Sequence, residues 1–289
     1  MTFLQLLIAL GLERLMPHWM QYRIYYFFTD YLDRVASFFG TRSTWLTYLS
    51  LLLAIAMPLL LIVIIESWLQ VILLGNFLFG MLVLFYCLGP KDLALQVDEM
   101  LAACERQDEV ALQQATANLL DENNEQDSNH CGQDMAAAMA FEALDRIFGV
   151  LFWFALAGPA GAMLFRTTQL VSRHYRNETS ERFDAAQMLY WIVAWLPSRL
   201  LALGYALAGH FTQSLQSWFR EAPDAMSTRQ AMCFFLANGA SGALDLPESS
   251  SGEWEETAFQ LRNSMALIWR TLLIWLAVIA LLTIGSWMN

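Results

Sequence analysis

The chain has 289 residues, of which 57% are hydrophobic, and its formal net charge is −11. This composition is too apolar for an ordinary soluble domain, and the acidic balance without a basic patch argues against nucleic acid as a partner. Apolar runs cover 44–65, 67–89 and 266–287. Because a membrane helix needs about 20 apolar residues, we predict an all-α, polytopic helical membrane protein with about four to five membrane segments and amphipathic interfacial helices.

The N-terminal region, 1–43, is predicted to hold an uncleaved half-length helix followed by an interfacial helix. Its first apolar run stops at Glu13 and Arg14, and it shows neither the basic start nor the cleavage site of a secretory signal. Residues 20–43 mix aromatic side chains with arginines, which favours the headgroup layer. The transmembrane hairpin 44–89 follows, with Glu66 at its turn. Pro58 should kink the first span, and a neighbouring helix should satisfy the freed carbonyl.

The segment 90–146 is predicted to be an acidic helical loop on the cytoplasmic side. It contains three basic and thirteen acidic residues, which is a net charge of −10. Arginines precede the first span and Lys91 follows the second, so both ends of the hairpin are expected in the cytoplasm. Residues 121–134 lack hydrophobic anchors and should form a surface loop. The simplest interpretation of the acidic charge is a solvated loop.

No metal, cofactor or catalytic site is predicted from motifs. The four cysteines include no CxxC pair, which argues against zinc and against a disulfide framework. The sequence also lacks a phosphate-binding GxxxxGK[ST] loop and the GxSxG and HExxH signatures of hydrolases.

The segment 147–209 is predicted to consist of broken or re-entrant helices, because LFWFALAGPAGAMLFR carries Gly158-Pro159 at its centre. One interpretation is a kinked helix with small residues at a helix contact. The other is a ligand site on irregular backbone that lines a cavity, with nearby ionisable side chains in pairs such as Asp145 with Arg166, or Glu142 with Arg199. Whether this segment bends back or 188–209 crosses again stays open. A polar connecting region (210–265) and a C-terminal transmembrane helix (266–288) complete the chain.

Several motifs occur in the order typical of one family. They are the LERL-like start with His18-Trp19, the LFWF segment, W-x-P-x-R-L at 195–200 and YALxGH at 205–210. In these motifs, over most of its length, the chain resembles the AmpE family. The resemblance implies a regulatory, non-enzymatic protein of the bacterial inner membrane that acts in peptidoglycan recycling and β-lactamase induction. It also implies the lipid bilayer and a cytosolic AmpD-like anhydro-muropeptide amidase as partners, and a small-molecule or muropeptide ligand.

A partial similarity to the CobD/CbiB membrane proteins of cobalamin assembly gives an alternative. Those proteins resemble this chain at Asp145, 151–153, 161–162, Arg166, Pro197 and 199–200. They carry Asn-Thr-Leu-Asp where this chain has Gln169 to Ser172, and an Asp-Asp pair and an Asn where it has Tyr190, Trp191 and Ala194. The alternative is therefore a membrane enzyme on the cobinamide-phosphate synthase scaffold with a diverged substrate, although the missing carboxylates argue against an enzyme.

The broken segment and the two resemblances together give the candidate site residues. The ligand-binding candidates are Asp145, Trp153, Gly158, Gly161, Arg166, Gln169 and Arg199. Pro159, Trp195 and Pro197 are expected to shape the backbone as structural motif residues.

Overall fold

The protein is helical throughout the residues that the computed structural model describes. These are 2–15, 26–39, 44–69, 73–88, 93–120, 135–177, 181–218, 235–236, 238–240, 242–244 and 254–288. The longer helices are α1 (Thr2–Leu15), α2 (Tyr26–Phe39), α3 (Thr44–Leu69), α4 (Leu73–Cys87), α5 (Leu93–Arg106), α6 (Glu109–Leu120), α7 (Met135–Ala143), α8 (Gly149–His174), α9 (Glu181–Ala208), α10 (Phe211–Trp218) and α11 (Trp254–Met288). A π-helical turn, Leu144–Phe148, joins α7 to α8. No strand occurs in these ranges, which confirms the all-α prediction.

Four helices are long and apolar enough to cross a membrane. They cover Trp45–Leu69, Ala138–His174, Arg182–Ala208 and Trp254–Gly285, and a shorter apolar helix covers Leu74–Cys87. Each of the four exceeds the roughly 20 residues that span a hydrocarbon core. By length and composition the chain is therefore a multi-pass membrane protein, as predicted.

The chain forms two compact units. Unit 1 consists of 1–90, 149–194 and 282–289, and unit 2 consists of 91–148 and 195–281. The predicted loop at 121–134 and most of the polar stretch between α10 and α11 lie outside the described residues.

In unit 1, helix α8 packs against both α3 and α4. One apolar cluster joins α2, α3, α8 and α9 and contains Leu32, Leu51, Ala54, Ile55, Val171, Tyr175, Ala185 and Ala186. At the other end, Gln5 donates from Nε2 to the Phe77 carbonyl at 3.0 Å and thereby ties α1 to α4. This packing holds α8, the broken helix, among its neighbours.

Pro58 shows how this fold accommodates a proline within a span. Proline has no N–H to donate to the residue four positions earlier, so the carbonyl of Ala54 is freed. The hydroxyl of Tyr31 on α2 donates to that carbonyl at 3.4 Å, as expected of a neighbouring helix. Glu66 was predicted at a turn but lies inside α3, because the apolar helix continues to Leu69. The connection at 70–72 lies outside the described residues.

In unit 2, helix α5 packs against α6, and α6 packs against α7. The buried face of α5 consists of Leu93, Gln96, Val97, Met100, Ala103 and Cys104. Gln96 is the polar member of this face, and its side chain accepts a hydrogen bond from Arg146 of the π-helical turn.

Candidate functional site

Helix α8 is broken at the predicted place. Ala157 (φ −130°, ψ 16°) and Gly158 (φ 65°, ψ −151°) leave the helical region, and the conformation of Gly158 is one that side chains other than glycine rarely adopt. A Cβ on Gly161 would lie 2.1 Å from the carbonyl oxygen of Trp153. In a straight helix, residues eight positions apart are separated by about 12 Å. The helix is therefore bent sharply, and Gly161 is the residue that permits the close approach.

The carboxylate of Glu66 lies beside this break. A Cβ on Gly158 would be 3.9 Å from Glu66 Oε1. Pro159 begins the second half of α8, and the first N–H groups of a helix carry partial positive charge. No pattern in the sequence indicates that Glu66 is a neighbour of Gly158, because the two residues are far apart in the chain.

Beyond the break, α8 buries a run of polar side chains. Arg166, Thr167, Thr168 and Gln169 are each 1–2% exposed. The two threonine hydroxyls donate to carbonyls one turn back, to Met163 at 2.8 Å and to Leu164 at 2.7 Å. The threonine hydroxyls are thereby satisfied within the helix, which distinguishes them from the side chains of Arg166 and Gln169.

Arg166 and Gln169 interact directly. Arg166 Nη1 donates to Gln169 Oε1 at 2.5 Å. The other end of the Gln169 amide, Nε2, is a buried donor that has no hydrogen-bond partner among the described residues. A buried donor without a partner destabilises the folded protein by about 1–3 kcal/mol. A ligand that accepts a hydrogen bond from this nitrogen would therefore be stabilising.

Helix α9 contributes a second amide to the same unit. Gln187 donates from Nε2 to the carbonyl of Ser172 at 3.4 Å, while its buried Oε1 has no partner among the described residues. Nearby, the rings of Phe165 and Tyr190 pack at 6.3 Å. Ser172 and Tyr190, two of the positions that the resemblance aligns with carboxylates of the synthases, are both buried.

Trp153 anchors the first half of α8 to α9. Its indole N–H donates to the carbonyl of Val193 at 3.0 Å. That carbonyl is four residues before Pro197, so it is the one that the proline leaves without an intrahelical donor. Trp153 was predicted as a ligand-binding candidate, and its hydrogen bond shows a structural contact with the backbone of α9.

In unit 2, a buried ionic group surrounds the π-helical turn. Arg146 donates from Nε to Glu142 Oε2 at 2.7 Å and from Nη1 to Gln96 Oε1 at 2.6 Å. The next residue back in this turn, Asp145, is 2% exposed and therefore also buried. Short π-helical turns occur frequently at functional sites. Glu142 thus binds Arg146, the i+4 residue, whereas the partner expected from the sequence was Arg199.

The guanidinium of Arg199 packs against two aromatic rings. Its guanidinium lies 4.0 Å from the ring centre of Phe235 and 5.8 Å from that of Trp195, which are cation–π contacts. Trp195 therefore has a packing contact with the arginine of its own motif.

The predicted site residues divide between the two units. Unit 1 contains Trp153, Gly158, Pro159, Gly161, Arg166 and Gln169, whereas unit 2 contains Asp145, Trp195, Pro197 and Arg199. The proposed pairing of Asp145 with Arg166 joins the two units and stays a prediction. Gln96 and Gln187 were missed, since a lone glutamine in a helical pattern has no signal that separates it from a surface residue.

The donor set does not fit a metal held by carboxylates. No cluster of three or more His, Cys, Asp or Glu side chains that could hold a metal ion occurs in the described part of the chain. Ser172 and Tyr190, which the resemblance aligns with carboxylates, are not usual ligands for a hard cation. Outside the membrane spans, burial raises the pKa of the Cys104 thiol, which disfavours the reactive thiolate.

Comparison with known proteins gives the family. The CobD/Cbib protein family matches residues 6–246. A cobalamin biosynthesis protein CobD from Stutzerimonas stutzeri (strain A1501) is 26% identical over 243 residues, which cover 77% of this chain and 78% of that protein. A second protein of that name, from Chromobacterium violaceum, is 33% identical over 116 residues, which cover 39% of this chain and 37% of that protein. No solved structure matches the chain.

These matches correct the functional prediction. They are to proteins named for cobalamin biosynthesis, and none supports the AmpE assignment, the link to β-lactamase induction or an AmpD-like amidase as partner. The regulator was therefore the wrong choice, and so was the prediction of a non-enzyme. The family match covers far more than half of the chain, and the protein belongs to the CobD/CbiB family.

Proposed function

We propose that this protein is an enzyme of the bacterial inner membrane, of the cobinamide-phosphate synthase type, with a substrate that differs from that of its CobD relatives. The family match over residues 6–246 is the observation that carries the enzyme class. The buried Arg166–Gln169 pair beyond the break in α8 is the feature that supports a site.

Arg166 is the residue that we propose binds an anionic group of the substrate. Its guanidinium is almost fully buried at membrane depth, where a charge is costly and is usually retained for function. Guanidinium binds carboxylate or phosphate oxygens through charge-assisted hydrogen bonds. Gln169 accepts from Arg166 and so fixes its orientation, which leaves the Gln169 amide nitrogen to donate to the substrate.

The substituted positions support a diverged substrate. Ser172 and Tyr190, which the resemblance aligns with carboxylates, are buried, and neither is a carboxylate. A carboxylate at these places would balance a cationic amine or a metal, whereas Ser and Tyr cannot. The group that this part of the site accepts should therefore be less cationic than the one that the synthases bind.

The test is product formation by the purified protein in nanodiscs. It would be incubated with a corrinoid that bears a free carboxylate, with a nucleoside triphosphate and Mg²⁺, and with a panel of amines with and without a phosphate group. The triphosphate is the co-reactant that activates the carboxylate, whose oxygen leaves as phosphate when the amine forms the amide bond. Products would be detected by mass spectrometry. We expect a product with at least one amine, and a roughly 100-fold slower rate for Arg166→Gln, since an essential charged donor is lost. Arg262→Gln is the matched control, because Arg262 forms only an exposed ion pair with Glu105 at 3.3 Å.

Complementation distinguishes the two parts of the proposal. The chain would be expressed in a bacterium that lacks its own CobD, and growth that depends on cobalamin would be measured. Full growth would contradict a diverged substrate. The absence of product with every amine in the panel, or a rate that Arg166→Gln leaves unchanged, would overturn the proposed enzyme site.

A further inference from the structure

Two buried side-chain amides on neighbouring helices of unit 1 each keep one polar atom without a partner. They belong to Gln169 of α8, which is 1% exposed, and to Gln187 of α9, which is 8% exposed. The atom is Nε2 in Gln169 and Oε1 in Gln187, and neither has a hydrogen-bond partner among the described residues. The first atom is a donor and the second is an acceptor, so the two are complementary.

The hydrogen bond at the other end of each amide fixes which atom is left over. Gln169 must turn its oxygen toward Arg166, because a guanidinium only donates. Gln187 must turn its nitrogen toward the carbonyl of Ser172, which only accepts, at 3.4 Å. Rotating either amide by half a turn would bring two donors or two acceptors together. The donor left on Gln169 and the acceptor left on Gln187 therefore follow from the contacts around them.

Contacts between α8 and α9 place the two amides on the same interface. Phe165, Gln169 and Ser172 have the i, i+4, i+7 spacing of one helix face. The ring of Phe165 packs at 6.3 Å from that of Tyr190, and the carbonyl of Ser172 accepts from α9 as described above. These two contacts flank Gln169, and their partners Gln187 and Tyr190 are three residues apart on one face of α9. Gln169 therefore faces α9 within about one helical turn, ~5 Å, of Gln187.

We propose that these two amides bind an uncharged carboxamide group of the ligand, and that Gln187 is thereby a specificity-determining residue. A carboxamide accepts from Gln169 Nε2 through its oxygen and donates to Gln187 Oε1 through its nitrogen. A carboxylate has no proton to donate to Gln187, and an ammonium group cannot accept from Gln169. This inference rests on the proposed function, because Arg166 holds the anionic group of the same ligand beside the carboxamide.

Three small probes that share a carboxylate test this specificity. At its other end succinamate has a carboxamide, levulinate has a methyl ketone that only accepts, and succinate has a second carboxylate. Each would be titrated into the purified protein in nanodiscs, and the rise in Tm would be measured, because a ligand that binds only the folded state stabilises it. We expect succinamate to bind about tenfold more tightly than levulinate, since only succinamate satisfies the buried acceptor, and succinate to bind most weakly.

Variants of Gln187 connect the preference to this residue. Gln187→Met removes the acceptor and should abolish the preference for succinamate over levulinate. Gln187→Asn shortens the side chain, should have the same effect, and serves as the second variant if Gln187→Met does not fold. Gln113→Met is the matched control and should keep the preference, because Gln113 is an exposed glutamine on α6.

The outcomes distinguish this inference from the proposed function. Equal binding of the three probes, lost in Arg166→Gln, would overturn the carboxamide site and leave the anionic site standing. An ordered water between the two amides would give this result. A preference that persists in both Gln187 variants, or no binding of any probe, would also overturn the inference, and product formation with the amine panel would then decide the proposed function separately.

Discussion

The hydrogen bond between Trp153 and the Val193 carbonyl leads to a quantitative prediction. Trp153→Phe keeps an aromatic ring but removes the N–H that donates at 3.0 Å. Pro197 cannot replace that donor, so the carbonyl loses its partner in the interior of a membrane protein. An unsatisfied buried acceptor costs about 1–3 kcal/mol. We therefore expect the free energy of unfolding to fall by about that amount, together with a smaller loss from the reduced ring area.

A double-mutant cycle isolates the hydrogen bond from the ring. Pro197→Ala restores an N–H four residues after Val193, which can donate to the same carbonyl within the helix. In that background Trp153→Phe should cost only the loss of packing, so the two substitutions should couple by about 1–2 kcal/mol.

The assay is equilibrium unfolding of the four proteins by dodecyl sulfate in mixed micelles, followed by far-ultraviolet circular dichroism. The cycle compares one substitution in two backgrounds, so the loss of ring area cancels. An equal cost of Trp153→Phe with Pro197 and with Ala at that position would refute the reasoning, because the carbonyl would then have no part in the loss.

Four further predictions follow from the surroundings of single residues. Gly161→Ala should destabilise the protein by about 1–3 kcal/mol or more, since its Cβ would lie 2.1 Å from a backbone oxygen. Gly11→Ala, with no atom within 4 Å of the new Cβ, should be neutral or stabilise by up to about 1 kcal/mol in the same unfolding assay. Arg146→Gln should cost about 3–5 kcal/mol, because it leaves the buried carboxylate of Glu142 without that guanidinium. Gln169→Leu should slow product formation at least roughly tenfold at equal protein abundance, because it removes an acceptor that orients the buried guanidinium beside it.

Each of these predictions has its own contrary outcome. Equal unfolding free energies for Gly161→Ala and Gly11→Ala would mean that the break in α8 opens without cost. The double variant of Glu142→Gln with Arg146→Gln should recover part of the loss, and a further, additive loss would argue against a charge pair. A normal reaction rate in Gln169→Leu would remove this residue from the proposed site.

Local chemistry accounts for the predictions that the structure confirms. Long apolar runs must form helices in a membrane, since their backbone groups have no other partners there, so the fold class follows from composition alone. The break in α8 follows from Gly158 and Pro159, whose backbone preferences act within one turn of helix. The pair of Glu142 with Arg146 was not predicted, although its i, i+4 spacing is that of neighbours on a helix.

Tertiary structure alone decided the contacts between residues distant in the chain. Gln96 joins Arg146 across 50 residues, and the carboxylate of Glu66 lies beside the glycine of the break in α8. No periodicity predicts such contacts, because they depend on which faces of the helices pack together.

The same physics explains why these motifs predicted a function that the comparisons contradict. The motifs that suggested AmpE included LFWF and W-x-P-x-R-L, and the structure shows what they do. Trp153 of the first motif satisfies the carbonyl that Pro197 of the second leaves free, and Trp195 packs on Arg199. Motifs of this kind report how the helices are held together. A scaffold can keep such motifs while its substrate changes, so the motifs by themselves indicate an architecture. The reaction must be argued from the buried polar side chains between the helices.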